Sequence, residues 1–194
     1  ACLMKEPEYV AELVAAMRAA CSLPVTVKSR IGVDEMDSYE AFHDFTENMV
    51  QAGAAALIVH ARKAWLKGLS PKQNREVPPL RYDYVTAIKT AFPTLPVVLN
   101  GGIKTLAEAT PWVEDLDGVM IGRAAYHDPW ILADADAKVF GAPGATNVTR
   151  RSVSLAYREY VLETRQPDVP ISRFTRHLIG LYQGQPGAKT WRRM

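Results

Sequence analysis

Apolar residues recur at helical spacing through "EPEYVAELVAAMRAA", Glu6 to Ala20, and Ser22-Leu23-Pro24 ends the run. "PVTVKSRIG" then reads as a short β-branched strand that ends in charge. Asp37 or Ser38 is placed to cap the next helix, "SYEAFHDFTENMVQAG", which lines Tyr39, Phe42, Phe45 and Met49 along one side and stops at Gly53. "AALIVHA" is a continuous apolar run, as expected of a strand covered on both faces. After a basic loop, "RYDYVTAIKTAF" is helical and "PVVLNGG" is a third strand. Thr105 and Glu108 have capping-box spacing and open another helix, and "DGVMIGR" is the fourth strand. Helix and strand alternate with no hairpin signal between them, the pattern of parallel βα units.

Four parallel strands fit either an open doubly wound sheet or half of a (β/α)8 barrel, and the polar residues decide between them. The apolar runs end in Lys28-Ser29-Arg30, His60-Ala61-Arg62, Asn100-Gly101-Gly102 and Gly122-Arg123. Polar groups at the carboxyl ends of successive parallel strands are what a barrel mouth requires. Gly-Gly after one strand and Gly-Arg after the next leave backbone N–H groups open to an anion, and barrels often build a phosphate site after their last two strands. The expectation is therefore the closing half of a barrel over residues 1–140, its opening half lying outside this chain, since a full barrel needs about 250 residues. "HDPWILADADAKVF" reads as a further helix and "GAPGATN" as a linker. Residues 148–194 form a strand-free, helix-rich second domain.

Composition adds the kind of partner. The chain has 194 residues, 48% hydrophobic and 23% charged, ordinary for a globular protein. No apolar run is long enough to span a bilayer and no leader pattern is visible, and two cysteines, Cys2 and Cys21, are too few for a disulfide scaffold; the cytoplasm is the expected compartment. The net charge of +2 conceals an asymmetry: from Arg150 onward nine Lys and Arg stand against three Asp and Glu, a surplus of six, which leaves −4 on residues 1–149. Arg62 to Arg81 is a local exception, with six basic residues against Glu76 alone. Two basic zones suggest a polyanionic partner such as nucleic acid, although solvated basic surfaces without a partner are common. His43, His127 and His177 lack partners at metal-ligand spacing, so no metal site is expected; His43 reads as an exposed helix residue and His127 as a cap for the helix after it.

"VKSRIG", "IVHARKAWLKGLSPKQNR", "VVLNGG", "DGVMIGRAAYHDPW" and "RHLIGLYQGQPGAKTWRR" occur in an order that resembles the tRNA-dihydrouridine synthases, most closely their A subfamily, over essentially the whole chain. The resemblance implies an FMN-binding barrel followed by a helical domain that grips tRNA. It implies an activity in which NADPH reduces the flavin, hydride passes from flavin to C6 of a D-loop uridine, and a cysteine acid protonates C5. The family carries that cysteine in an Asn-x-x-Gly-Cys-Pro motif upstream of this chain. Neither Cys2 nor Cys21 lies in such a motif, so no catalytic residue is assigned within it.

By the same resemblance Lys28 contacts the flavin, where a cation would stabilise the anionic reduced ring. His60 resembles the histidine that contacts the flavin phosphate or ring region. Asn100, Gly101 and Gly102, with Gly122 and Arg123, resemble the phosphate cradle. Lys72, Arg75, Lys189 and Arg192 match positions used to contact tRNA. Trp65 is read as an anchor for the basic loop, with base stacking as the alternative. A uridine must leave its stack to reach a flavin in a barrel mouth, and two basic clamps would offset part of that cost. The expected protein is a monomer when complete. Two other readings stay open: an FMN barrel oxidoreductase acting on a small pyrimidine, which has no use for the basic tail, and a non-catalytic tRNA-binding fragment.

Overall fold

The computed structural model describes residues 1–143 and 148–193. Its elements are α1 (Pro7–Ala20), β1 (Thr26–Arg30), α2 (Tyr39–Gln51), β2 (Ala56–His60), α3 (Tyr82–Ala91), β3 (Val97–Asn100), α4 (Leu106–Asp115), β4 (Gly118–Met120), α5 (Arg123–His127), α6 (Ala135–Phe140), α7 (Arg150–Thr164), α8 (Ser172–Thr175) and α9 (Ala188–Trp191). The chain divides into two compact units, residues 1–103 with 111–120, and residues 104–110 with 121–194. The boundary expected between residues 140 and 148 thus lies inside the second unit.

The first unit is built on a parallel sheet in the order β1-β2-β3-β4. Its register aligns Lys28 with Ile58 and Val98, and Arg30 with His60 and Asn100, while Asn100 aligns with Met120. Side chains alternate across a sheet, so these rows share one face and Val27, Leu57, Val59, Val97 and Leu99 occupy the other. The second face is the core: Leu57, Val59, Val97 and Leu99 are fully buried. Val27 packs against Val14 of α1 and Phe45 and Met49 of α2. On the opposite face Lys28 and Met120 are exposed and Arg30, Ile58, His60 and Asn100 are half-buried. Strands in simple sequential order with one face buried form an arc of a singly wound barrel; a doubly wound sheet would reverse its order and cover both faces.

Local signals explain most boundaries. Ser38 caps α2 by accepting from the Ala41 N–H at 3.1 Å, and Gly53, at φ +80°, turns the chain out of it. Thr105 accepts from the Glu108 N–H at 3.2 Å, while the Glu108 carboxylate accepts from the N–H of Lys104, one residue before the expected partner.

Three expectations need correction. β4 stops at Met120 instead of running through Arg123, because its partner β3 ends at Asn100 and leaves Ile121 nothing to pair with; Arg123 opens α5 instead. The single helix expected from His127 to Phe140 is interrupted: α5 ends at His127, a 3-10 turn covers Pro129–Leu132 and α6 covers Ala135–Phe140. Pro129 removes a donor and holds Asp128 extended at φ −140°. The cap at that break is Asp128, whose carboxylate accepts from the Trp130 N–H at 3.2 Å, and not His127.

In the second unit α7 begins with a reciprocal Thr149–Ser152 capping box. Arg150 donates to the Leu181 carbonyl at 2.9 Å and lays its guanidinium over Trp130 at 4.4 Å. Trp191 packs on Tyr182 and donates to the Leu178 carbonyl at 2.9 Å. Gly180 lies so close to the His127 carbonyl that any Cβ there would overlap it. No strand occurs among the described residues of 148–193. Of the expected linker, residues 144–147 lie outside the described residues, as does Met194.

Candidate active site

The open face of the sheet carries the candidate site at its carboxyl end. Lys28 reaches past β2 to place Nζ 3.1 Å from Asn100 Oδ1, and Asn100 donates its amide to the Met120 carbonyl at 2.8 Å. One asparagine therefore links the lysine of β1 to the backbone of β4. Although Lys28 as a residue is exposed, partial burial of its ammonium group, and then the positive charge of Arg30, lowers its pKa from the ordinary value.

The glycines after β3 are where close approach requires them. Gly101 has φ +112° and a Cβ there would lie 2.6 Å from the His60 ring; Gly102 has φ +81° and a Cβ would lie 2.5 Å from the Tyr82 hydroxyl. That hydroxyl donates to the Gly101 carbonyl at 2.7 Å, which fixes the turn. The structure therefore brings together Lys28, His60, Asn100, Gly101 and Gly102. Gly122 and Arg123 belong to the second unit, where both are exposed and Arg123 begins α5.

The basic loop after His60 is a built structure. Arg30 donates one Nη1 to the carbonyls of Lys63 and Asn74, both at 2.8 Å. Asn74 closes the loop on itself: its Oδ1 accepts from the Trp65 N–H and its Nδ2 donates to the Trp65 carbonyl, each at 2.8 Å. Asp34, at φ +52°, accepts from Lys5 Nζ at 2.6 Å and from the Leu66 N–H at 2.9 Å. Its own N–H donates to the Ala64 carbonyl at 2.8 Å. Trp65 is half-buried beneath Lys63, whose Nζ stands 4.1 Å from the ring, so the anchoring role expected of the tryptophan matches its position.

Burial, and then the nearby charges of Arg75 and Arg62, pulls the Arg30 pKa below the usual guanidinium value. Three guanidinium groups thus stand together beside the strand ends, an arrangement suited to an anion. Lys72 is exposed on this loop and Arg75 is half-buried; Lys189 and Arg192, in the second unit, are both exposed. Asn74, Asp34 and Tyr82 escaped sequence reading. Their signals were slight: an asparagine inside a turn-rich loop, an aspartate in a tight turn before a helix, and a tyrosine opening one.

His43, Asp44 and Glu47 are a group among the described residues whose possible ligand atoms lie within 4.8 Å of one another. Asp44 and Glu47 are exposed, but His43, expected to be an exposed helix residue, is half-buried because its ring lies against Phe92 at 4.9 Å.

The family profile described as Dihydrouridine synthase (Dus) matches residues 1–194. The chain belongs to the dihydrouridine synthase family. It is 50% identical over 194 residues to the tRNA-dihydrouridine(20/20a) synthase of Xanthomonas campestris pv. campestris, a match that covers all of this chain and 57% of that protein. Proteins of the same name from Shewanella oneidensis and Vibrio cholerae are each 49% identical, again along the whole chain and over 57% and 59% of their own lengths. The chain thus spans rather more than half of the dihydrouridine synthases it matches.

Proposed function

We propose that the protein to which this chain belongs is an FMN-dependent tRNA-dihydrouridine synthase that reduces D-loop uridine of the 20/20a type. The observation that carries the reading is the row of Lys28, Arg30, His60 and Asn100 on one open sheet face, in a chain of this family. The names of the similar proteins supply the substrate. The residues fit a flavin mononucleotide: a cation held by an amide suits the electron-rich edge of the ring, and the turn at Gly101 and Gly102 has no room for side chains. When bound and reduced by NADPH, that group supplies the hydride for C6 of the uracil, and the family's cysteine, in a motif outside these residues, supplies the proton for C5.

Within the chain, Lys28 binds and orients the ring, and Asn100 keeps Lys28 aimed. His60, Gly101 and Gly102 are assigned to the ring or phosphate, and Gly122 and Arg123 join the phosphate set by family resemblance. Lys72 and Arg75 on the basic loop, and Lys189 and Arg192 in the helical unit, are assigned to tRNA phosphates. Cys2 and Cys21 are free and exposed, and no described helix is long and apolar enough to cross a membrane; we assign the protein to the cytoplasm.

The test is made on the full-length protein. It should purify yellow, accept electrons from NADPH, and be reoxidised by tRNA lacking dihydrouridine faster than by free uridine. A colourless protein ends the flavin reading. A yellow protein reoxidised equally by free uridine ends the tRNA reading in favour of a small-pyrimidine oxidoreductase.

A further inference from the structure

The second unit contains a cavity of about 670 Å³, within the size range of sites that enclose a small organic ligand. Its lining carries three cations, Lys104, Arg176 and Arg192, against one carboxylate, Asp128. That carboxylate is engaged in capping the Trp130 N–H, and none of the three cations is paired with a carboxylate among the described residues. Tyr126, also in the lining, is 56% exposed, and its ring is propped edge-on between the imidazoles of His127 and His177, each 5.9 Å away. The fit of Gly180 against the His127 carbonyl, with the Arg150 bridge from Trp130 to Leu181, locks the two walls together.

A cationic cavity bordered by a fixed, exposed aromatic ring has the chemistry of a nucleotide site: guanidinium and ammonium groups take phosphate, and any base has a face to stack. We propose that this cavity holds one phosphorylated nucleoside, its phosphate among Lys104, Arg176 and Arg192 and its base on Tyr126, and that the bound RNA strand supplies it. The inference rests on the tRNA reading above, and adds Lys104, Arg176 and Tyr126 to the surface that reading implies.

The test uses the full-length protein, a fluorescein-labelled single-stranded RNA hexamer read by anisotropy, and adenosine 5′-monophosphate as a free nucleotide. Arg176→Glu should weaken the hexamer about tenfold or more and lower the slope of log affinity against log salt by about one. Tyr126→Leu should weaken it roughly five- to a hundredfold, whereas Tyr126→Phe, which keeps the ring, should bind as wild type. Melting midpoints equal to wild type verify the fold, and Arg176→Gln replaces the charge reversal where that variant does not fold. If the variants lose the free nucleotide but keep the hexamer, the nucleoside-phosphate chemistry stands and its source is a small molecule. If they bind both probes like wild type, the proposal is overturned. A wild-type protein that ignores tRNA and hexamer alike points instead to failure of the tRNA reading.

Discussion

Lys28 and Asn100 lie on β1 and β3, two strands that do not touch, yet their side chains meet at 3.1 Å across the top of β2. Their meeting turns two strand ends into one polar surface. Replacing Lys28 by Met should lower flavin affinity about tenfold or more, since hydrogen bonds to a charged group are worth about 1.5–3 kcal/mol. Asn100→Ala, which leaves the ammonium without its guide, should lower it less. The ratio of flavin to protein absorbance in the purified full-length variants checks both, and stoichiometric flavin in each would refute the assignment.

Gly101→Ala should cost about 1–3 kcal/mol of folding stability, because it forces a side chain into φ +112° and against the His60 ring. Gly68, at φ +84° but with nothing near it, offers a control in which the backbone term acts alone. Denaturant titration of both variants separates the contact from the conformation.

Asp34 serves the basic loop in two ways, by adopting a left-handed backbone and by accepting from Lys5 and Leu66. Asp34→Gly keeps the first and loses the second, Asp34→Ala loses both, and Asp34→Asn keeps the backbone preference with a weaker acceptor. Limited proteolysis between residues 66 and 72 should therefore rise in the order Asn, Gly, Ala. Equal protection in all three would show that the loop does not depend on this latch.

Asp117 clips the start of β3 to the start of β4: its Oδ2 accepts from the Val97 N–H and from Lys89 Nζ, both at 2.8 Å. Partial burial raises its pKa, but Lys89 and the Val97 amide outweigh that and hold it below the usual carboxylate value. A depressed carboxylate contributes stability above its unfolded pKa of about 3.9 and loses it as pH falls through the folded value. Wild type should therefore melt above Asp117→Asn near neutral pH, and the gap should close below about pH 4. A gap unchanged at low pH would assign the effect to shape instead of charge.

Met49→Ala should destabilise the first unit by about 2–5 kcal/mol, since the side chain is wholly buried between α1, α2 and β1. Calorimetry of wild type and variant measures it.

The periodicity of Phe42, Phe45 and Met49 named the buried side of α2 because a helix has one repeat and one core to face. The continuous runs of β2 and β3 were less informative. That of β2 suggested burial on both faces, whereas Ile58 is only half-buried on the open one, as is Val98 of β3. Lys28, His60 and Asn100 could be read as neighbours because parallel strands bring their ends to one side. The bond between Lys28 and Asn100 could not, since it depends on register and on the reach of a lysine across a strand. Asp34 and Asn74 were invisible for a related reason: the partners of the Asn74 amide, and one of the two partners of the Asp34 carboxylate, are main-chain atoms, which every residue supplies and no sequence pattern marks.

That preference for main-chain partners shapes how the basic loop can change over time. Arg30, Asp34 and Asn74 hold its frame chiefly through carbonyl and amide groups, so the frame is indifferent to which side chains Lys67, Lys72 and their neighbours display. The loop behaves as a fixed handle with replaceable bristles. Mutation can retune its charge and selectivity without refolding the part that carries it.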